Sequence, residues 1–555
     1  MVSFMLLFVM SLGFGTGESV EDVWERMGEL PESSTMALSA AEISLDYDKL
    51  EAMMGDELDM MIDEWPPEDF PPPLQEYSLE ELFDLARFEV RGMILTPEEE
   101  DWDDPTLFLA VRPLLDETSE LLLSILEMFP QDTVDNRPVW LLDDLLISHE
   151  EDWFYFANSP NSLSEGLSTP GSRLGDLELY ADSTADLPGE AKLAAWLDLS
   201  QIMEKDEGYD EYPDEADNKG NEPETVDFED SLTTLALAIT EEQLILRLGL
   251  KDDAPLPEDY RRFSGREGYP TLAELVPGNC LVFGDAWLDN PLLYLVEMIA
   301  SDDEDDESEE LEIPEADAAE LSSLQTGEMA ISLHAVPGEP RNEMVEELLD
   351  DTIDLDFERH DPRLMFYFGS NRSEELLTAL TDLLLEVSPD NEPERSNQFF
   401  GVLIAEVWSL DDGDIYLIPV DEALVICVGE SSAEMFAAGY GRTDNLSRDE
   451  EFLASKAIPT EPVSVSLFLR LEEMIEVTTE DDGYPMPNLF QDGMNTIGLT
   501  AKLGEDAIEI VGDDELISLA FSAAALGFSL PFSEKGNEEA VATSEAMTEA
   551  VEQPE

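Results

Sequence analysis

The sequence predicts an α+β protein of two homologous units, each a mostly antiparallel sheet packed against amphipathic helices. Three observations predict it: one order of elements occurs twice, several strands are joined by turns too short for a crossover, and Leu-rich stretches recur at helical spacing.

Residues 1–19 come first. Phe4 to Phe14 form an apolar run of signal-peptide length with small residues at Gly13, Gly15 and Gly17, which predicts an exported chain although no Lys or Arg precedes the run. Residues 20–250 and 269–512 are the two units, with 251–268 as linker. Four sites carry an apolar-Pro pair, a short strand and then an amphipathic helix; they begin at Leu30-Pro31, Leu187-Pro188, Val276-Pro277 and Ile458-Pro459, the first matching the third and the second the fourth.

Between the members of each pair stands an Asp-Pro opening. Asp104-Pro105 leads into TLFLAV and a helix over Ser119 to Phe129; Asp361-Pro362 leads into RLMFYF and a helix over Glu374 to Val387. A hairpin pattern closes each unit, LALAITEEQLILRLGL from Leu235 and LTAKLGEDAIEIVG from Leu499. Gly401 to Gly429 reads as three strands with turns at Asp411 to Asp414 and Val420 to Glu422, and short turns require antiparallel neighbours.

Connecting segments follow composition. Trp65 to Pro73 is Pro-rich and extended, while Lys205 to Asp230 and Ser301 to Glu312 are acidic loops. The linker 251–268 holds Arg261, Arg262 and Arg266, expected to make ion pairs that tie two acidic units together, with an anion site as the alternative. Within the apolar segment 513–532, Leu516 to Phe532 contains serines and Gly527, which suits a packed core element better than a membrane tail. Residues 533–555 form a disordered acidic tail.

The charge narrows function. With 133 Asp and Glu against 26 Lys and Arg, the net charge is -107, so a nucleic acid or an anionic membrane surface is repelled rather than bound. Such a field suits a saline medium, where screening relieves self-repulsion. It also allows weak divalent cation binding by the acidic loops, or a polyanionic partner for basic proteins.

Chemical motifs are sparse. Cys280 and Cys427 lie in apolar runs and read as buried thiols; His149, His334 and His360 are scattered, without metal-ligand spacing. His149-Glu150 lacks the second histidine of a zinc-protease helix, the GYGRTD at Gly439 lacks the third glycine of a dinucleotide turn, and no GxSxG elbow occurs. A carboxylate hydrolase needs only two acids, and so many candidates single out no pair. The sequence therefore assigns no catalytic, cofactor-binding or metal-binding residue.

The repeated apolar-Pro pair, strand, apolar-acid-apolar step such as Leu197-Asp198-Leu199, and helix resemble large exported bacterial proteins known as a domain of unknown function. Arg470 stands near the place of that acid in the fourth copy. The resemblance implies export and an α+β repeat and carries no catalytic residues. The expected protein is thus an exported, non-enzymatic binding or structural module of the envelope or secreted space.

Overall fold

The computed structural model describes residues 12–13, 23–45, 72–78, 81–82, 85–95, 106–142, 145–167, 172–203, 231–240, 243–251, 258–266, 269–295, 315–337, 360–387, 394–410, 413–459, 462–470, 496–504 and 506–513. The two acidic loops, residues 514–555, and the first nineteen residues apart from Leu12 and Gly13 lie outside them. So does most of the Pro-rich segment.

In chain order the strands of the first half are β1 (Leu12–Gly13), β2 (Ser34–Leu45), β3 (Arg87–Leu95), β4 (Thr106–Pro113), β5 (Gln131–Val134), β6 (Arg137–Leu142), β7 (Leu145–Glu150), β8 (Trp153–Ala157), β9 (Leu193–Asp198), β10 (Leu232–Ile239) and β11 (Leu244–Leu250). The second half supplies β12 (Val282–Trp287), β13 (Glu328–Pro337), β14 (His360–Gly369), β15 (Glu394–Phe400), β16 (Leu403–Ser409), β17 (Asp414–Pro419), β18 (Ala423–Val428), β19 (Val465–Leu469), β20 (Ile497–Leu503) and β21 (Ala507–Gly512). Every pairing is antiparallel, so the α+β class with a mostly antiparallel sheet stands.

The connectivity of β2 to β11 recurs in β12 to β21. In the first half the ladder runs β5-β6-β7-β8-β4-β3-β2-β9-β10-β11. In the second it runs β15-β16-β17-β18-β14-β13-β12-β19-β20-β21. β11 then pairs antiparallel with β21, Ile245 opposite Val511, so one sheet passes through both halves. Strands with the same place in the two ladders meet at this seam, as two-fold-related edges do.

Local features repeat with the ladder. Pro31 bridges to Arg173 and Pro277 to Asn445; the next residues, Leu174 and Leu446, donate backbone N–H bonds of 2.8 and 2.9 Å to the carbonyls of Leu30 and Val276. The helices Asp116–Leu126 and Ser373–Val387 follow β4 and β14, strands with the same place in the two ladders. Both begin earlier than the Leu spacing predicts, by three residues at Asp116 and by one at Ser373. Asp116 and Glu117 are polar and escape an apolar count, yet acids in a first helical turn are favoured by the helix dipole.

Each half has its own principal core. One gathers Met27, Met93, Phe108 and Trp196, the other Phe283, Tyr367, Phe436 and Phe468. The volumes are exchanged between facing positions. In the first half Phe108 on β4 leaves room only for Gly166, where a Cβ would overlap the Phe108 ring. In the second half Met365 fills the strand position and Phe436 the helix position, both fully buried.

The linker reading needs correction at its C-terminal end. Glu258–Arg261 is helical, Phe263 bridges to Leu288 and Arg266 to Val463, so these residues are bonded to the second half. Arg266 pairs with Glu328 inside that half and does not tie the two halves together. Leu12 and Gly13, within the segment read as a leader, pair with Leu45 and Ser44 of β2.

Candidate functional site

The strand registers bring two buried glutamates to matching places. Six residues beyond Pro31 is Ala37, opposite Met93; six beyond Pro277 is Phe283, opposite Ser332. Four residues before Met93 and before Ser332 stand Glu89 and Glu328, with 1% and 2% of their surfaces exposed. A carboxylate this deep must be paired and hydrogen-bonded to remain charged.

The two are satisfied by different groups. Glu89 Oε1 accepts from Arg26 Nη1 at 3.0 Å and Arg91 Nη2 at 3.1 Å, and its Oε2 meets Arg112 across the strand pair. Arg91 and Arg112 in turn lie over the Trp153 ring, 4.9 and 5.4 Å from its centre. Glu328 Oε1 accepts from the Leu272 backbone N–H at 2.9 Å, while Oε2 accepts from the Thr271 hydroxyl and faces Arg266 Nη1 at 3.1 Å. Thr271 and Leu272 open the short 3-10 turn Thr271–Glu274, whose free N–H groups suit an acceptor.

Beside Glu328 the second half adds a small opening of about 10 Å³, lined by Arg266, Asp285, Trp287, Val463, Ser464 and Ser466. Arg266 stacks on Trp287 at 4.4 Å. Asp285, at the middle of β12, stands opposite Ser466 of β19 and diagonal to Glu328, and is 7% exposed. Burial pushes its carboxyl well above the usual range, reinforced by the Glu328 charge and by a hydrogen bond to Glu328, and opposed by Arg266. Burial beside Glu328 therefore favours the neutral form of Asp285. Its Oδ1, Ser466 Oγ and Trp287 Nε1 have no hydrogen-bond partner, and Arg266 Nη1 is in charge contact without hydrogen-bond alignment. This is the candidate site: polar atoms from β12, β19 and the segment before Thr271, converging on one small opening.

Other singled-out residues go elsewhere. Arg470, two residues after Phe468, occupies the register place that Asp198 holds two residues after Trp196, since Phe283 pairs with Phe468 and Ala37 with Trp196. Asp198 accepts from Ser200 Oγ at 2.6 Å and Gln201 Nε2 at 2.7 Å; Arg470 donates to Asp449 at 2.7 Å and Glu451 at 3.0 Å. His334 is fully buried: Nδ1 donates to the Asn279 carbonyl at 3.2 Å, so Nε2 accepts from Ser332, whose hydroxyl also meets Tyr367 at 3.1 Å. Burial lowers the His334 pKa to about 4, with the nearby Arg363 charge acting in the same direction and the Asn279 hydrogen bond opposing. His149 packs at a tilt against Phe154 and His360 starts β14, so the three histidines do not converge. Cys280 and Cys427 are buried, and burial pushes the Cys427 thiol up, which keeps it unreactive. Among the described residues no group of His, Cys, Asp or Glu is arranged to hold a metal ion, and no helix is long and apolar enough to cross a membrane.

Asp285 and Glu328 were hidden in the sequence by the abundance of acids. A usable signal was present in FGDAW, an acid at the centre of an apolar strand, which must be neutral or paired once the strand is buried.

No protein-family model matches the chain, and no curated protein matches it. Two solved structures are similar to part of it, crystal forms III and I of TP0453, at 12% and 9% identity. They cover 43% and 46% of this chain and 87% and 97% of their own. TM-scores of 0.22 and 0.23 are too low for this likeness to bear on fold or function.

Proposed function

We propose that the chain is an exported, salt-adapted module of two homologous halves, acting by binding or scaffolding through its surfaces rather than by catalysis. The repeated ladder carries the reading, because two chance α+β folds would not reproduce nine pairings, a proline bridge and a buried glutamate at the same register. The apolar N-terminal run and the resemblance to exported proteins support export. The net charge of -107 supports a saline medium.

The cleft argues against hydrolysis. Small-molecule pockets typically enclose about 300–1,000 Å³, and this one is about 10 Å³, room for about one water. The Asp285 and Glu328 carboxyls are diagonal neighbours across β12 and β13, and the Glu328 charge raises the Asp285 pKa. A carboxylate hydrolase remains the second reading, and the raised pKa of Asp285 is the observation that favours it.

Two measurements test the proposal. Mass spectrometry of the mature N-terminus from the source organism is expected to find the apolar run removed; an intact Met1 in a cytoplasmic fraction would sink the export claim. The melting temperature is expected to rise from low salt to about 1 M sodium chloride, where the Debye length falls to about 3 Å. A flat or falling curve would refute salt adaptation.

A further inference from the structure

The two outer edges of the sheet differ. Among the described residues β5 and β15 each pair on one side only, with β6 and β16. Exposed edges are normally blunted by shortness, charge or proline, because unpaired N–H and C=O groups recruit further strands. β5 follows that rule: it has four residues, Asp132 is exposed, its hairpin turn is Asp135-Asn136, and Pro138 stands on the neighbouring strand. β15 does not. Its seven residues, ERSNQFF, contain neither Pro nor Lys, and the hairpin it forms exposes Phe399 at 72%, Val402 at 91% and Ile404 at 51%. Phe399 and Ile404 face each other across the pair, and Val402 sits in the turn after Gly401, so the three make one apolar tip.

The charge of this edge is also exceptional. Residues 394–405 carry one Glu and one Arg, a net charge of zero, in a chain of -107. Glu406 and Glu430 reach Arg395 and Gln398 on this hairpin, yet a second copy approaching along β15 still meets a lower density of acids than the chain's average. The β11–β21 seam shows what such a meeting looks like, since there two edges with the same place in their ladders join antiparallel and continue the sheet.

We propose that β15 is a homodimerisation strand, pairing antiparallel with β15 of a second copy about Asn397 and extending the sheet across a two-fold axis. In that register Ser396 faces Gln398, and Arg395 faces Phe399 of the other copy, a cation over an aromatic ring. Phe399 and its neighbours leave water on both sides of the axis. The inference goes beyond the exported-module reading and does not rest on it.

Analytical ultracentrifugation of the full chain in about 1 M sodium chloride, where screening admits two polyanions, tests it. The chain is expected to sediment as a dimer, and Phe399→Asp to raise the dissociation constant at least about tenfold with an unchanged thermal melt. Because Cys280 and Cys427 are buried, an Asn397→Cys variant is expected to oxidise to a disulfide-linked dimer. Gln131→Cys, at the corresponding place on β5, should not. A wild-type chain that stays monomeric at its highest soluble concentration would overturn the proposal. So would Phe399→Asp dimerising as tightly as wild type, or equal cross-linking of the two cysteine variants.

Discussion

Glu89 and Glu328 hold the same position in the two halves and are stabilised in opposite ways. Around Glu89 three guanidinium groups meet one carboxylate, so removing that carboxylate leaves Arg26, itself 5% exposed, beside two more cations. Around Glu328 one guanidinium faces that carboxylate and lowers the pKa of a second buried acid, Asp285, which the Glu328 charge raises, so removing Glu328 favours ionisation of Asp285. A buried position can thus be kept acidic while its counter-charges are redistributed, and tolerance to mutation then depends on whether a reserve acid is at hand.

The largest expected effect tests that difference. Glu89→Ala should cost about 3–5 kcal/mol in chemical denaturation, the range for breaking a buried ion pair from one side. Glu328→Ala should cost clearly less, because Asp285 becomes the counterion of Arg266. The double variant Glu328→Ala with Asp285→Asn should recover most of the difference. If Glu328→Ala alone costs as much as Glu89→Ala, the reserve role of Asp285 is wrong.

A second comparison lies two residues beyond Ser332 and Met93, where His334 in one half matches Leu95 in the other. Burial holds the His334 pKa at about 4, below the unfolded value of about 6.5. Between those values the unfolded chain binds one proton more than the folded one. Stability from this group is therefore complete above about pH 6.5 and is lost as pH falls toward 4, by an amount on the order of 3 kcal/mol. Carboxylate protonation alters stability over the same interval, so the wild type is best compared with His334→Leu, which should lack the histidine-dependent loss. Parallel pH curves for the two proteins would count against a buried neutral histidine.

The smallest effect concerns the exchanged volumes. Gly166→Ala should destabilise by about 1–3 kcal/mol through overlap with the Phe108 ring. In a Phe108→Leu background the same change should cost less, since contacting residues couple. Additive costs would show that the Phe108 ring does not set the limit at Gly166.

The fold was legible where sequence and packing share a period. The three strands between Gly401 and Gly429 emerge as β16, β17 and β18, with the turn at Val420 to Glu422 in place and Asp411 and Asp412 of the other turn outside the described residues, and the closing hairpins as β10–β11 and β20–β21. Asp361-Pro362 does open a strand, β14. β15 was missed because ERSNQFF buries neither face along most of its length, leaving no alternation to read. The candidate site was the least legible part. Asp285 differs from more than a hundred other acids only through its neighbours, and two of those, Glu328 and Ser466, come from strands far along the chain.

The β11–β21 seam also has a consequence for how the chain is made. β11 ends at Leu250 and its partner strand ends at Gly512, so 512 − 250 = 262 further residues must be synthesised before the ladder can close. At about 5–20 residues per second the completed first half waits for tens of seconds with one edge of β11 unpaired. During that interval β11 of one nascent chain is open to β21 of another finished one. Slow elongation or crowded polysomes should therefore favour interlocked, strand-exchanged pairs, a by-product of placing the seam at the end of both halves.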